Sequence, residues 1–198
     1  MSGSSLINGT LSLNTAGRLN KSGTSRVAGG VQQNSATDAL LDQAVEDALT
    51  ASQSAASLPV TIISPTNITI SNPSQNITIT GGVGTNVLNI TSLNISNGTV
   101  TLNAPHGGSF IMNVSGGFAL SGTSKIVLAG GVNPSDVLYN IVGSGGSVSM
   151  SGGASVTGIL LAPQRGVSLS NAIVTGEIIS GGSGISFSGT TQVNNPGS

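Results

Sequence analysis

Residues 155–189 read SVTGILLAPQRGVSLSNAIVTGEIISGGSGISFSG, and this stretch repeats itself. Val156-Thr157-Gly158-Ile159-Leu160-Leu161 returns as Val174-Thr175-Gly176-Glu177-Ile178-Ile179, an offset of 18 residues. Gly166-Val167-Ser168-Leu169-Ser170 returns as Gly184-Ile185-Ser186-Phe187-Ser188, again at 18. One repeat upstream, Val148-Ser149-Met150-Ser151 aligns with Val167-Ser168-Leu169-Ser170 at an offset of 19. A fixed period that carries the same residue class at the same place is the mark of a solenoid. A β-sandwich also alternates short strands but has no reason to keep such a period. We therefore expect an all-β chain, a right-handed parallel β-helix (β-solenoid) with coils of about 18–19 residues and two strands per coil.

Upstream the alternation is strict. In Asn67-Ile68-Thr69-Ile70-Ser71 the isoleucines share one side and the polar residues the other. Asn76-Ile77-Thr78-Ile79-Thr80 repeats this nine positions later, and Thr99-Val100-Thr101-Leu102-Asn103 follows suit. A period of two puts alternate side chains on opposite faces of a strand. The expected core is Ile68, Ile70, Ile77, Ile79, Ile159, Leu161, Val167, Leu169, Ile185 and Phe187. Glycine is expected at corners that need positive φ.

Residues 37–57 differ in kind. The stretch TDALLDQAVEDALTASQSAA (37–56) lacks Gly and Pro, and Leu41, Val45, Ala48 and Leu49 fall on one helical stripe. Thr37 or Ser35 is the expected cap. Four of the six acidic residues, Asp38, Asp42, Glu46 and Asp47, lie in this stretch. We expect a flanking α-helix docked on the sheet. The whole chain, 1–198, then reads as a single β-solenoid domain, with N-terminal strands or a cap at 4–31, the helix at 37–57 and coils at 60–193. Segments 4–31 and 184–193 are the expected end coils, since open solenoid ends need caps.

Composition excludes several function classes. Of 198 residues 6% are charged and 2% aromatic, the net charge is −1, and the mean hydropathy is +0.29. No basic stripe exists to meet phosphates and few rings exist to stack on bases, so nucleic acid is not an expected partner. Alternating Val, Ile and Leu argue for a folded chain rather than a disordered one. No apolar run approaches the ~18 residues that cross a bilayer, so no direct membrane insertion is expected. The start MSGSSLINGT has neither the charged nor the apolar region of a signal peptide, and we expect a mature fragment with an added Met. The low charge fits an extracellular or cell-surface setting.

Chemistry-bearing residues are few. Zero cysteines and one histidine, His106, leave no zinc site, and no Asp recurs at the coil period as calcium-binding repeats require. His106 lies in a turn, Ala104-Pro105-His106-Gly107-Gly108, with no nucleophile elbow in the chain. Outside the helix the carboxylates are Asp136, which reads as a turn residue, and Glu177, at an edge or near Arg165. Paired acids are the minimum for glycoside hydrolysis. We expect no enzyme, no cofactor and no metal. The Gly-rich run at 143–147 lacks the Lys and the strand–loop–helix setting of a phosphate loop. Eight Asn-X-Ser/Thr sequons, at Asn8, Asn20, Asn67, Asn76, Asn89, Asn94, Asn97 and Asn113, reflect an Asn-, Ser- and Thr-rich surface.

The outward threonines stand out. Thr69, Thr78, Thr80, Thr91, Thr99 and Thr101 come from successive strands, and stacked coils would set them on one flat, weakly charged face. Rows of hydroxyls and methyls of this kind are what ordering of ice-like water requires. The plainer reading is that Thr simply suits outward strand positions.

Residues 86–193 carry a family likeness. NVLNI (86–90), GSFIMNVSGGFALSG (108–122), VNPSDVLYNI (132–141), VTGILLAP (156–163) and VTGEII (174–179) together resemble the choice-of-anchor A domain, a bacterial surface module. The VTGILLAP-type coil also resembles the ice-binding-like adhesion fold, a right-handed β-helix with one long helix alongside. The resemblance implies an exported, surface-attached protein with a structural or adhesive role, whose partner is extracellular matrix, a cell surface or another surface ligand. The alternative is an ice-binding protein that uses the Thr/Ser face. The closing residues VNNPGS carry no sorting motif, so the resemblance leaves the mode of anchoring open.

Overall fold

In the computed structural model, which describes residues 1–182 and 184–194, parallel strands stack coil upon coil and every recorded strand pair is parallel. Each coil has three sides, where two strands per coil were expected. The first side is Asn67–Ile70, Ser92–Ser96, Phe118–Ser121, Val148–Ser151, Val167–Ser170 and Ile185–Ser188, a six-stranded sheet. The second runs through Asn76–Thr80, Thr99–Asn103, Lys125–Ala129, the start of Ser155–Ala162, the start of Ile173–Ser180, and Gln192–Asn194. The third holds Gly84–Ile90, Gly108–Val114, Val137–Ile141 and the ends of those same two long strands. The nine-residue repeat of Asn67 and Asn76 is thus a step around one corner within a coil, not a coil itself. The 18–19 period holds only at the C-terminal end, because loops lengthen the earlier coils: Thr99 faces Asn76 and Lys125 faces Thr99.

Inward side chains form continuous ladders. On the first side Ile70, Ile95, Leu120, Met150, Leu169 and Phe187 stack in register, all buried. On the third, Leu88, Met112, Tyr139 and Leu160 do the same. At about 1.5–3 kcal/mol for each large apolar side chain removed from water, these ladders are the main source of stability. The corner between the first and second sides needs positive φ, supplied by Gly122 (61°), Gly152 (73°) and Gly189 (65°), and by Asn97 (62°) and Asn171 (53°).

Seven of the ten expected core residues are buried. The other three, Ile77, Ile159 and Ile185, are corrections, and so is the setting of Leu161. Ile159 is half-buried and faces outward. Thr157 and Ile159 share one parity; Val156, Gly158, Leu160 and Ala162 share the other and point inward. Leu161 is buried, but outside the solenoid, where the helix covers it. The bend from second to third side is made at Gly158 (φ 133°) and Gly176 (φ 149°), where a Cβ on Gly176 would meet the Gly158 carbonyl. Ile77 is half-buried against the core, and Ile185 is 44% exposed.

The N-terminal coils sit where the sequence does not foretell. Leu6–Ile7 pairs with Gln192–Asn194, and Arg26–Val27 pairs with Leu6–Ile7. The first 33 residues therefore extend the solenoid beyond its C-terminal coil, so residues 184–193 are an inner coil, not an end. The helix, Ser35–Ser57, then carries the chain back along the third side; at ~1.5 Å per residue it spans about 34 Å. Asn34, rather than Thr37 or Ser35, is its cap and accepts from the Thr37 N–H at 2.9 Å. Its docked stripe is made of small residues, with Thr37, Ala48, Ser52 and Ala55 buried and Val45 40% exposed. Small side chains let the helix backbone approach the sheet, where Asn113 and Asn140 meet it (Asn113 Nδ2 to Ala55 O, 3.1 Å).

Candidate functional site: a threonine face

With the helix over the third side, the first and second sides remain open to solvent. Their outward columns differ. On the first side the column Ser96, Ser121, Ser151, Ser170, Ser188 is nearly pure serine, beside Thr69, Asn94, Ala119, Ser149, Ser168 and Ser186. Several of these groups bond sideways, Ser121 Oγ to Ser96 Oγ at 3.1 Å and Ser92 Oγ to Asn67 Oδ1 at 3.0 Å.

On the second side Thr78, Thr101 and Val127 stand in one register column, which continues, one residue past the Ile126–Val156 pair, through Thr157 and Thr175 to Asn194. Coils repeat at ~4.8 Å, which sets the spacing of the methyls. Among the described residues none of the four Thr hydroxyls in this column bonds to protein, so each is left to water. Val127 lacks the hydroxyl but keeps the branched shape. Branching restricts χ1, so the column is held in place before any ligand arrives. A second column runs Asn76, Thr99, Lys125, Ser155, Ile173, Gln192, and a shorter third runs Thr80, Asn103, Ala129.

The six threonines expected from sequence are thus divided. Thr78 and Thr101 share the main column, Thr99 the second and Thr80 the third. Thr69 lies on the serine side and Thr91 in the corner before Ser92. The sequence reading missed Thr157 and Thr175. Their signal was present in the repeated Val-Thr-Gly, which sets one Thr per coil at the same height.

The other chemistry-bearing residues are placed as follows. His106 is exposed in its turn. Asp136 accepts from the Asn133 backbone N–H and side-chain amide, both at 2.9 Å, and so fixes a turn. Glu177 is exposed opposite Ile159. Arg165 does not meet it. The guanidinium is buried in the corner after the third side and donates to the carbonyls of Ser115 (2.7 Å), Gly116, Val142 (2.6 Å) and Gly143 (3.0 Å). Burial lowers its pKa from the ordinary guanidinium value. Among the described residues no group of three or more His, Asp or Glu is arranged to hold a metal, and no helix is long and apolar enough to cross a membrane.

Solved structures with this architecture include an ice-binding protein from the Antarctic ascomycete Antarctomyces psychrotrophicus, at 16% identity and TM-score 0.68, with 98% of this chain and 88% of that one covered. An antifreeze-active ice-binding protein from an Arctic yeast aligns at 20% identity and TM-score 0.68 over 98% and 87%. One from an Antarctic Flavobacteriaceae bacterium aligns at 21% and 0.61, over 98% of this chain and 46% of that one. At these identities the likeness shows the fold: a β-solenoid with one flanking helix. No curated protein sequence matches the chain. The model of the Ice-binding-like family matches residues 1–193, nearly the full length, and the chain belongs to that family.

Proposed function

We propose that this protein binds ice, and that the threonine face is the contact surface. The observation that carries the reading is the column Thr78, Thr101, Val127, Thr157, Thr175, locked in register by the coils beneath it. Each Thr offers a methyl that favours burial and a hydroxyl that completes a hydrogen bond to ordered water. Because the column is rigid, little side-chain entropy is lost on contact. The serine side is the weaker candidate, since Ser lacks the methyl and part of its hydroxyls already pair with each other. Family membership and the ice-binding structures of like fold support the same conclusion. The setting that suits such a protein is extracellular or at the cell surface.

The test is ice-affinity partitioning of the purified chain, with crystal habit followed near the freezing point. Enrichment in the ice fraction and faceted crystals are expected. Exclusion from ice would refute the reading and leave the structural or adhesive role, which the uncharged serine side favours, to be pursued with matrix proteins and glycans. The choice-of-anchor A resemblance belongs to that second reading.

A further inference from the structure

The ladders are sealed along most of the solenoid, but one seam gapes. The threonine side continues without a break from Ile173–Ser180 through Gln192–Asn194 to Leu6–Ile7 and Arg26–Val27. On the third side the stacking fails: Leu11–Ser12 and Val31–Gln32 form a separate two-stranded sheet, not hydrogen-bonded to Ile173–Ser180. The terminal coils are therefore joined to the body along the threonine side and by the Ser2 and Ser4 N–H groups, which donate to the Phe187 and Gly189 carbonyls, and parted from it beside Leu11–Ser12. The gap is a cleft of about 560 Å3, inside the roughly 300–1,000 Å3 of small-molecule sites. Leu11, Leu13 and Leu19 line one wall, and Val167, Ile185 and Phe187 the other. This is why Ile185, which alternation turns inward, is 44% exposed. Arg18 also lines the cleft. No Asp or Glu occurs in residues 1–37, and none lines the cleft among the described residues. A slot of apolar side chains edged by serines, with cations at Arg18 and the Met1 ammonium and no carboxylate, is complementary to a ligand with an apolar chain and an anionic head.

We propose that the cleft binds a single-chain fatty carboxylate, its chain between the leucines and Phe187 and its head on the Arg18 guanidinium. Apolar burial supplies affinity, and the fork of guanidinium donors matches a carboxylate. The site is remote in role from the threonine face, and its test does not depend on ice.

The probe is decanoate, titrated into the full chain by calorimetry and followed by the 13C shift of a labelled carboxyl group, with decanol and decyltrimethylammonium as comparisons. One saturable decanoate per chain is expected, with the ammonium compound at least about tenfold weaker. Arg18→Glu, at an exposed position and therefore compatible with folding, should reverse that preference. Leu13→Trp should fill the slot and abolish binding, with circular dichroism confirming the fold. Absence of saturable binding, equal affinity for the three head groups, or decanoate binding unchanged in Arg18→Glu would each overturn the proposal.

Discussion

Ser52 and Asn140, 88 residues apart, exchange two hydrogen bonds in a buried setting: Ser52 Oγ donates to Asn140 Oδ1 at 2.6 Å, and Asn140 Nδ2 donates to the Ser52 carbonyl at 2.9 Å. Asn140 Nδ2 also donates to Asn113 Oδ1 at 2.8 Å, and Asn113 Nδ2 to Asn89 Oδ1 at 3.1 Å. A ladder of asparagines on the third side thus holds the helix. Asn140→Ala should cost about 3 kcal/mol, because it strands partners in a dry interface. Ser52→Ala should cost about 2 kcal/mol, and the double variant should cost less than the sum. Urea unfolding of the three variants checks this.

Arg165 clips the corners of two neighbouring coils through four carbonyls. Lysine carries the charge but has one nitrogen, and it cannot span those positions. Arg165→Lys should destabilise by about 2–4 kcal/mol, read as a lowered unfolding midpoint. Ice affinity of the folded variant should be unchanged.

Ser124 Oγ is buried with no hydrogen-bond partner among the described residues. At the matching height in later coils stand Ala154 and Ala172, both fully buried. Ser124→Ala removes an unpaired polar atom from a site that already suits alanine. Stability should rise by about 1 kcal/mol, and a fall in the unfolding midpoint would show that the hydroxyl has a partner.

Tyr139 is fully buried, and burial raises its phenol pKa well above the ordinary value of about 10. Its hydroxyl donates to the Thr157 carbonyl at 3.0 Å. The folded state keeps the proton while the unfolded state loses it above pH about 10, so the native form binds more protons there. Stability is fully present below that pH and falls above it, by about 1.4 kcal/mol per pH unit. Tyr139→Phe should cost about 1 kcal/mol at neutral pH and remove that part of the alkaline loss, as measured by denaturation from pH 8 to 11.

Strand parity and the C-terminal period were readable because hydrophobic alternation is local. Ile68, Ile70 and Ile79 follow it and are buried. Inward parity runs unbroken from Val156 through Gly158 and Leu160 to Ala162, but Ile159-Leu160-Leu161 is apolar on both parities because Leu161 is buried outside the solenoid core, so hydrophobicity alone does not tell which parity points inward. The third side is hidden because Ser155–Ala162 is one unbroken strand that serves two sides through Gly158. Stacking of Leu6 on Gln192 joins residues 186 positions apart and leaves no local trace. The threonine face was half legible. Thr78 and Thr101 announce themselves in Thr-X-Thr strands, whereas Thr157 and Thr175 stand alone and join the column only through register.

The most direct measurement compares two bulky substitutions on the two open sides, Thr157→Tyr on the threonine column and Ser168→Tyr on the serine side, each partitioned into ice beside the unaltered chain. Both positions face outward and tolerate a larger side chain, so both variants should fold. Thr157→Tyr is expected to drop to the level of a protein that does not bind ice, while Ser168→Tyr partitions as the parent does. Loss of ice binding in Ser168→Tyr with retention in Thr157→Tyr would contradict that expectation and move the contact surface to the serine side.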